Sequence, residues 1–319
     1  MIDVVALGEL LIDFATQSTD KDGYPTMAAH PGGAPANFLA ALTKFGAKTA
    51  LMGKVGTDTF GKLLLSTLHN AGIDTRGMIE TNDVFTTLAF VTFDEHGDRK
   101  FAFSRKPGAD TCIRFEELDL SLIDEAKVFH FGTLSLTDEP ARSATYQAVA
   151  YAKGKGKLIT YDPNLRKPLW KDLEIAKEQL IWGLQQADVV KISDEEVEFL
   201  FGLGVEDGAK YILENFGVKL VFVTCGADGC FFKNAQAAGK VPSLSGIQVI
   251  DTTGAGDIFG GSAVWKLLQT GKAPENLTEA ELRDIVCFAC TSAGLSTTRS
   301  GGISSVPEYA EVLERMGKA

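Results

Sequence analysis

The sequence is poor in the residue types that define several common classes of protein. It has five cysteines among 319 residues, at 112, 225, 230, 287 and 290. A sparse, odd number excludes a disulfide-built scaffold and is typical of a reducing compartment, so we expect a cytoplasmic location. The C-x-x-C at 287–290 lacks a second ligand pair for zinc and lies in the helix-like run LRDIVCFACTSAGL, which favours buried core thiols.

Clusters of positive charge and long apolar runs are also missing. The net charge is −11 with a pI near 4.9, and no Lys/Arg cluster stands out, so nucleic acid or an anionic membrane is not expected as a partner. The start MIDVVALGELLIDF has no basic n-region and is interrupted by acids, so we expect no signal peptide. No apolar run reaches the length of a transmembrane helix.

Strand-like apolar runs alternate with amphipathic, helix-like runs along most of the chain. The strand-like runs are rich in Val, Ile, Leu and Phe, and several of the helix-like runs end at glycine. This alternation predicts a parallel sheet buried on both faces by helices, in one α/β domain over residues 1–319. The predicted strands include 4–8, 49–56, 127–132, 157–163, 187–193 and 218–226, and the predicted helices include 34–46, 60–72 and 141–156.

Two segments depart from this rhythm. Residues 14–30 and 84–105 contain alternating strands, and DEHGD at 94–98 predicts a turn between two of them. We expect a small antiparallel sheet that covers a pocket as a lid, with an edge extension of the main sheet as the alternative.

Two glycine-rich stretches imitate phosphate-binding motifs. GTDTFGKL at 56–63 matches a P-loop up to its last position, where Leu63 replaces the Ser or Thr that holds Mg²⁺. Asp58 would also place a carboxylate in the phosphate cradle, so a helix start at Thr57 or Asp58 explains the residues better. GLGVEDG at 202–208 follows a helix-like run rather than a strand, which predicts a turn between helices.

The stretch DTTGAGD, from Asp251 to Asp257, follows the strand-like GIQVID and precedes the helix-like IFGGSAVWKLL. Gly254 and Gly256 let the backbone approach a ligand closely, and the free N–H groups of a helix start form an anion site. In that first turn, Asp257 can accept the proton of a hydroxyl group that attacks a bound phosphate. The alternative is a glycine-rich turn in which Asp257 only caps the helix.

Three further motifs place polar groups at strand ends or helix starts. In HPGGAPANFLAAL the glycine pair Gly32-Gly33 brings backbone near a ligand, and Asn37 carries donor and acceptor groups that suit sugar hydroxyls. In GELLID, Asp13 follows a strand, where open α/β sheets bind ligands. In YDPNLR, Arg166 suits a bidentate phosphate contact. The alternatives are a loop with a helix N-cap for the glycine pair, a cap of a turn for Asp13, and a surface ion pair for Arg166.

Together and in this order, the motifs resemble those of the ribokinase/PfkB family of sugar kinases over nearly the whole chain. GGAPAN with GKVGTDTFG resembles the N-terminal signature of the family, and DTTGAGDIFGGSAV resembles its C-terminal signature. The phrases PGGAPANF, FHFGTLSL, YDPNLRKPLW and KISDEEVEFL are most similar to those of its fructokinases. The resemblance implies a Rossmann-like ribokinase fold with a β-sheet lid, and the use of ATP and Mg²⁺.

The resemblance also implies a role for individual residues. The implied catalytic base is Asp257, and the implied anion hole for the γ-phosphate is Gly254, Ala255 and Gly256. The implied sugar contacts are Asp13, Gly33, Asn37 and Arg105, with Arg166 near the transferred phosphate. The implied nucleotide contacts are Ser193, Thr224, Gly226, Gly229, Gly256 and Cys290. Glu196 matches an acid that the family associates with Mg²⁺ and phosphate.

Many members of the family also bind K⁺ beside the anion hole. The positions that match this site are Asp251, Thr253, Ser296, Arg299, Gly301 and Ser305. Two other positions depart from the family pattern. Ser193 stands where the N-x-x-E motif has Asn, which weakens a direct phosphate contact there. Cys290 stands where many relatives have Asn near the adenine, so adenine recognition would depend on shape and backbone.

The resemblance implies transfer of a phosphoryl group from ATP to D-fructose, giving fructose 6-phosphate and ADP. The rival substrate is 2-keto-3-deoxygluconate, whose carboxylate Arg105 and Arg166 could hold, while ribose or a nucleoside is less favoured. A sugar- or nucleotide-binding regulator on an inactive kinase scaffold is the alternative of another class, but such a protein would be expected to lose Asp257 or an anion-hole glycine. Exposed strand edges in 14–30 and 84–105 would favour a homodimer through the lid sheets.

Overall fold

The computed structural model describes residues 1–93 and 99–317, so the turn predicted at 94–98 lies outside the described residues. The strands are β1 (Ile2–Leu7), β2 (Leu11–Thr19), β3 (Pro25–Gly32), β4 (Thr49–Gly56), β5 (Met78–Thr81), β6 (Leu88–Phe93), β7 (Arg99–Ser104), β8 (Ala126–Gly132), β9 (Leu158–Asp162), β10 (Val189–Ser193), β11 (Leu220–Thr224), β12 (Cys230–Asn234) and β13 (Ala238–Val241). The α-helices are α1 (Ala34–Lys44), α2 (Thr59–Asn70), α3 (Leu120–Glu125), α4 (Ala141–Gly154), α5 (Leu173–Gln186), α6 (Asp194–Phe201), α7 (Val205–Phe216), α8 (Ala255–Thr270), α9 (Glu279–Ser296) and α10 (Tyr309–Met316).

The described residues form a main sheet of nine strands in the order β13-β12-β11-β10-β9-β8-β1-β4-β5. The strands from β11 through β5 in this order run parallel, while β12 and β13 pair antiparallel at one edge. The central strands are apolar on both faces because helices cover both sides, as the alternation of the sequence predicts. The hairpin of β12 and β13 and the short edge strand β5 are absent from the prediction.

Helices bury the two faces of the main sheet in separate hydrophobic clusters. One cluster combines inward-facing side chains of β1, β8 and β9 with those of α3, α4 and α7. The clusters on the other face combine strand residues with α1, α8 and α9. Since α8 packs against both α1 and α9, its N-terminus is fixed relative to the strand ends that surround it.

A smaller, separate sheet has the strand order β3-β2-β6-β7. The outer pairs are antiparallel, as expected, but the central strands β2 and β6 pair in parallel, so the prediction of a purely antiparallel sheet is wrong. The parallel pairing is possible because α1, β4, α2 and β5 intervene in the chain, so no tight turn dictates the relative direction of β2 and β6. The fold is the predicted ribokinase-like α/β fold with a second small sheet.

The motifs that imitate phosphate-binding loops have structural roles. Asp58 is the N-cap of α2, where its carboxylate accepts the N–H groups of Phe60 and Gly61 and two further bonds from Thr86. A carboxylate therefore fills the place that a P-loop reserves for phosphate. The turn at 202–208 joins α6 to α7, with Gly202 in the left-handed region, as the sequence predicts.

The prediction of buried core thiols in the C-x-x-C holds for Cys290, which is buried, but Cys287 is only half-buried. All five cysteines are free thiols, and both members of the C-x-x-C lie on α9. Burial raises the pKa of Cys290 to about 12. Among the described helices, none combines the length and the apolar character that a membrane span requires.

Candidate active site

Two cavities meet at the N-terminus of α8, near the carboxyl ends of the central strands. The first has a volume of about 700 Å³ and lies between the main sheet and the small sheet. Of the sequence-predicted site residues, its lining includes Asp13, Gly33, Asn37, Arg166, Thr253, Gly254 and Asp257. The second has a volume of about 460 Å³, and its lining includes Thr224, Gly226, Gly229, Ala255, Gly256 and Cys290. The first turn of α8 therefore forms a wall that both cavities share.

The start of α8 has the features of an anion site. Its N-cap, Gly254, has φ 74° and ψ 0°, and no side chain caps the helix. A Cβ atom at Gly254 would lie 3.0 Å from Nδ2 of Asn37, so glycine is required for conformation and for space. The N–H groups of the first turn have no partner within the helix and carry the positive end of its dipole. An anion can bind there between the two cavities.

Asp257 lies in this first turn and is 8% exposed. Nδ2 of Asn37 donates a hydrogen bond of 2.9 Å to its Oδ2 atom. Burial raises the pKa of Asp257, while the charge of Lys191 and the Asn37 bond oppose this rise. The carboxylate faces the first cavity, so it has the position and the basicity of a proton acceptor for a ligand bound there.

Asn37 has a second polar atom without a partner. Its Oδ1 atom is buried and accepts no hydrogen bond in the described part of the chain. It lies close to Gly302, where a Cβ atom would come within 2.2 Å of it. Because a buried acceptor without a donor is costly, a ligand hydroxyl group that donates to Oδ1 would relieve that cost.

Lys191 is a functional candidate that the sequence analysis missed. It lies at the third position of β10, and its ammonium donates to Oδ2 of Asp162, at the end of β9, over 2.9 Å. The pKa of Asp162 is raised to about 7 by burial, and the pKa of Lys191 is raised because Asp162, Glu196 and Asp257 outweigh its own burial. A Cβ atom at Gly256 would lie 3.0 Å from Nζ of Lys191. The lysine therefore places a positive charge directly behind the anion site.

The signal for Lys191 was present in the sequence as a charged residue inside the apolar strand ADVVKIS. A lysine in a strand buried on both faces requires a partner or a ligand. The partner could not be chosen from the sequence, because Asp162 is 29 residues away along the chain.

Glu196 holds two loops together. Its Oε2 atom accepts the backbone N–H of Ser193 at 2.8 Å in a capping box, and its Oε1 atom accepts the backbone N–H of Leu165 at 2.7 Å. The hydroxyl oxygen of Ser193 accepts the backbone N–H of Glu196, so Ser193 is the N-cap of α6. It does not line the nucleotide-side cavity. These bonds position the loop after β9, which carries Arg166.

Arg166 and Asp13 oppose each other across the first cavity. Arg166 is exposed and has no salt bridge to another described residue, so the alternative of a surface ion pair finds no support there. Burial raises the pKa of Asp13 to about 6, and the charge of Arg166 opposes this rise. Asp13 packs so closely on the glycine pair that a Cβ atom at Gly32 would lie 2.3 Å from its Oδ2 atom.

Glu9 is a second residue that the sequence analysis missed, although it lies in the quoted motif GELLID. It is 3% exposed and lines the first cavity, and its Oε1 atom accepts the N–H of Ala34 at 2.9 Å. The N-cap of α1, Gly33, has no side chain, so Glu9 caps this helix from 25 residues away. Burial raises the pKa of Glu9 to about 7.

Arg105 is not among the residues that line the first cavity. Its guanidinium is buried and forms an ion pair with Asp110 at 2.6 Å, and it also donates to Thr137 and to the carbonyl of Leu134. Leu134 does line the cavity, so Arg105 supports the wall from behind.

The residues matched to a K⁺ site lie in the segment before α8, at the end of α9 and in the loop that follows α9. The carboxylate of Asp251 accepts bonds from the backbone and the hydroxyl group of Thr253 and from the N–H of Gly301. The hydroxyl group of Ser296 donates to the carbonyl of Ala293 within α9, and that of Ser305 donates to the carbonyl of Gly302. Arg299 pairs with Glu311. Among the described residues, no group of three or more His, Cys, Asp or Glu side chains has the arrangement of a metal site.

Comparison with known proteins agrees with this geometry. The family model of the pfkB family carbohydrate kinases matches residues 1–309. The chain is 41% identical to fructokinase-1 of Zea mays, over 99% of this chain and 98% of the relative, and 40% identical to fructokinase-2 of Solanum lycopersicum, over 97% and 94%.

Solved structures extend the agreement to the fold. The fructokinase of Xylella fastidiosa with bound ATP superposes with a TM-score of 0.91 at 30% identity, covering 100% of this chain and 99% of the other. The fructokinase of Vibrio cholerae O395 in its form with fructose, ADP and calcium ion gives 0.87 at 30% identity, covering 99% of both chains. A putative ribokinase II of E. coli in complex with ATP and Mg gives 0.88 at 28% identity, covering 100% of both. The chain therefore belongs to the pfkB family of carbohydrate kinases.

Proposed function

We propose that this protein is an ATP-dependent fructokinase, which converts D-fructose and ATP into fructose 6-phosphate and ADP. The observation that carries the proposal is the shared wall at the start of α8, where Asp257 lines one cavity and Ala255 and Gly256 line the other. A phosphoryl group bound at this wall lies between a sugar on one side and a nucleotide on the other.

In this reaction Asp257 is the general base. The 6-hydroxyl oxygen of fructose attacks the γ-phosphorus of ATP while its proton moves to the carboxylate of Asp257. The bond between the γ-phosphorus and the bridging oxygen breaks, and the electron pair leaves with ADP. The amides of residues 254–256 face the equatorial oxygens, where charge develops in the transition state.

Two cations of the chain support the transfer. Lys191, held by Asp162 behind Gly256, offsets the negative charge of the γ-phosphoryl group. Arg166, which lines the sugar-side cavity without a carboxylate partner among the described residues, is free to contact the transferred phosphate.

Mg²⁺ fits the site through water rather than through direct ligation by Glu196. Both carboxylate oxygens of Glu196 accept backbone N–H groups, so they have little capacity for a metal ion. Glu195 and Glu196 nevertheless make this edge of the cavity acidic, and Mg²⁺ characteristically keeps several waters and binds substrate phosphates. When bound, Mg²⁺ neutralises charge on the β- and γ-phosphates.

The sugar-side cavity suits a neutral sugar better than a sugar acid. Its lining includes the carboxyl groups of Glu9 and Asp13, and Oδ1 of Asn37 lacks a donor. Hydroxyl groups of fructose can donate to these acceptors. Arg166 is the one Lys or Arg among the described lining residues, and the transferred phosphate competes for it, so a carboxylate of 2-keto-3-deoxygluconate would lack a dedicated cation.

In this proposal the small sheet is a lid over the bound sugar. Leu11, Asp13, Val91 and Phe103 of this sheet line the sugar-side cavity, so its movement would control access and exclude water. Its outer strands β3 and β7 have unpaired edges in the described chain, and pairing with a second copy would cover them in a homodimer.

We further propose a bound K⁺ ion and a cytoplasmic location. A K⁺ ion would lie at the loops of Asp251 and Ser305, bound mostly by backbone carbonyls. The free thiols fit a reducing, cytoplasmic compartment.

The decisive experiment is a coupled assay of ADP release with ATP and Mg²⁺ on fructose, ribose, glucose and 2-keto-3-deoxygluconate. We expect turnover on fructose, reduced about 10²- to 10⁴-fold or more in Asp257→Asn. The matched control is Asp207→Asn, which changes an acid in the first turn of α7 and should keep full activity. Preference for the keto-acid would overturn the choice of sugar, and sugar binding without turnover would favour a regulator.

A further inference from the structure

The nucleotide-side cavity has one wall without helix or strand. Residues 242–250 connect β13 to the segment before α8, and five of them line the cavity: Ser243, Leu244, Gly246, Ile247 and Val249. We call this segment the nucleotide loop. Its first residues are anchored, since the hydroxyl group of Ser243 donates to the carbonyl of Ala227 and Leu244 packs on Gly294, but Val249 and Ile250 are 57% and 65% exposed.

Arg315 of the C-terminal helix α10 holds this loop. One of its guanidinium nitrogens donates to the carbonyl of Ser245 at 2.8 Å and to that of Gly246 at 3.3 Å. In the described part of the chain, no other hydrogen bond reaches the backbone between residues 244 and 249. Arg315 therefore supplies the hydrogen bonds that hold the middle of this loop over the cavity.

Glu311 lies one helical turn before Arg315 and contacts the segment that follows α9. Its Oε1 atom accepts a hydrogen bond of 2.5 Å from Arg299. Arg299 follows closely on Thr297, which lines the nucleotide-side cavity and accepts the backbone N–H groups of Ile250 and Asp251. Positions four residues apart share one face of a helix, so one face of α10 contacts both the nucleotide loop and the segment that follows α9.

The helix that carries these two residues is well fixed to the core. Val312 of α10 is fully buried, and Tyr309 packs against the aromatic rings of Phe45, Trp265 and Phe288. Because α10 is held in place by the core, the side chains that hold the loop are already positioned, and the entropic cost of ordering the loop is lower.

We propose that Glu311 and Arg315 form a C-terminal clamp that positions the nucleotide loop and thereby sets the affinity of this enzyme for ATP. The clamp residues line neither cavity, so they are positioning residues rather than catalytic ones. The proposal rests on the proposed function, since it assigns the cavity beside Gly226 and Cys290 to the nucleotide. The proposal predicts that loss of the clamp weakens the binding of the nucleotide and leaves the binding of the sugar unchanged.

The test compares Arg315→Ala with wild type in steady-state kinetics and in calorimetric titration with MgADP. We expect KM for ATP and Kd for MgADP to rise together by about three- to tenfold, the effect of losing one or two partly exposed hydrogen bonds. KM for fructose should stay unchanged. Arg315→Lys, which can still donate to one carbonyl, should restore part of the affinity.

The matched control is Arg76→Ala, which removes a surface arginine that also bonds two groups, here the carboxylates of Asp74 and Glu125, and that lines neither cavity. Unchanged ATP and ADP affinity in Arg315→Ala would overturn the clamp, as would an equal rise of both KM values together with a lower melting temperature. If wild type fails to phosphorylate fructose but MgADP binding still weakens in Arg315→Ala, the proposed function falls while the clamp stands.

Discussion

Replacing Lys191 by methionine tests the charge behind the anion site. Lys191 and Asp162 form an ion pair of 2.9 Å whose side chains are only 13% and 9% exposed. Removing one partner of such a pair costs about 3–5 kcal/mol when the other must stay charged. Burial raises the pKa of Asp162 although the ammonium of Lys191 opposes this rise, so without the ammonium the acid can take up a proton. We therefore expect a loss of about 2 kcal/mol in the free energy of unfolding, below that range.

The expected effect on turnover is larger than the effect on stability. Nζ of Lys191 lies 3.0 Å from the place of a Cβ atom at Gly256, beside the amides that would hold the γ-phosphoryl group. Loss of one preorganised donor to developing charge lowers kcat by about 10²–10³-fold. The charge of Lys191 also lowers the pKa of Asp257, so its removal raises that pKa. The acid limb of the kcat profile then moves to higher pH.

The assay pairs kcat as a function of pH with thermal unfolding, and Lys54→Met is the control. Lys54 is a second buried lysine of the main sheet, paired with Glu117 at 2.6 Å, and it lines neither cavity. It should lose stability to a similar extent while keeping its kcat. If the two variants had the same kcat at every pH, the assignment of Lys191 to the phosphoryl group would be refuted.

Three further predictions address the sugar side. Asn37→Asp places a second carboxylate at a site 2.9 Å from Asp257, so the pair shares a proton and kcat should fall at neutral pH and recover as the pH rises; an unchanged pH profile contradicts this. Gly302→Ala brings a Cβ atom within 2.2 Å of Oδ1 of Asn37 and should raise KM for fructose, whereas Gly204→Ala, whose Cβ meets nothing within 4 Å, should leave it unaltered. In Glu9, burial raises the pKa from 4.5 to about 7, so wild type loses up to about 3 kcal/mol of unfolding free energy as the pH rises through this window. Glu9→Gln lacks this ionisation and should gain stability relative to wild type across the same window in urea unfolding, and a constant difference between the two proteins would contradict the burial argument.

The sequence predicts the parallel core and the start of α8 because both depend on local patterns. Apolar runs, glycine at helix ends and the DTTGAGD motif are visible without knowledge of tertiary contacts. The parallel pairing of β2 with β6 is not visible in the sequence, because it depends on where the intervening elements place the start of β6. The hairpin of β12 and β13 was not predicted, because the turn from β11 into β12 contains Gly226 and Gly229, which the sequence analysis considers only as nucleotide contacts.

The site residues divide in the same way. Asp13, Asn37, Arg166 and Asp257 were named from motifs, and the structure brings all four to one cavity. The surroundings of Lys191, Glu9 and Arg105 could not be predicted from the sequence. Each of these side chains bonds a partner that becomes its neighbour only in the folded chain. The roles of all these residues in turnover stay predictions until the variants are measured.

The arrangement of the two sheets around Gly254 has a consequence for how such an enzyme can diversify. Strands β2, β6 and β7 and helix α1 supply much of the sugar side. Helix α8 carries the proposed base, while β10 and the loop after β9 carry Lys191 and Arg166, the cations proposed to serve the phosphate. Substitutions in the small sheet can therefore alter which sugar is accepted without disturbing the groups that transfer phosphate. A library confined to the small sheet is the rational starting point for redirecting this kinase to another ketose or to a sugar acid.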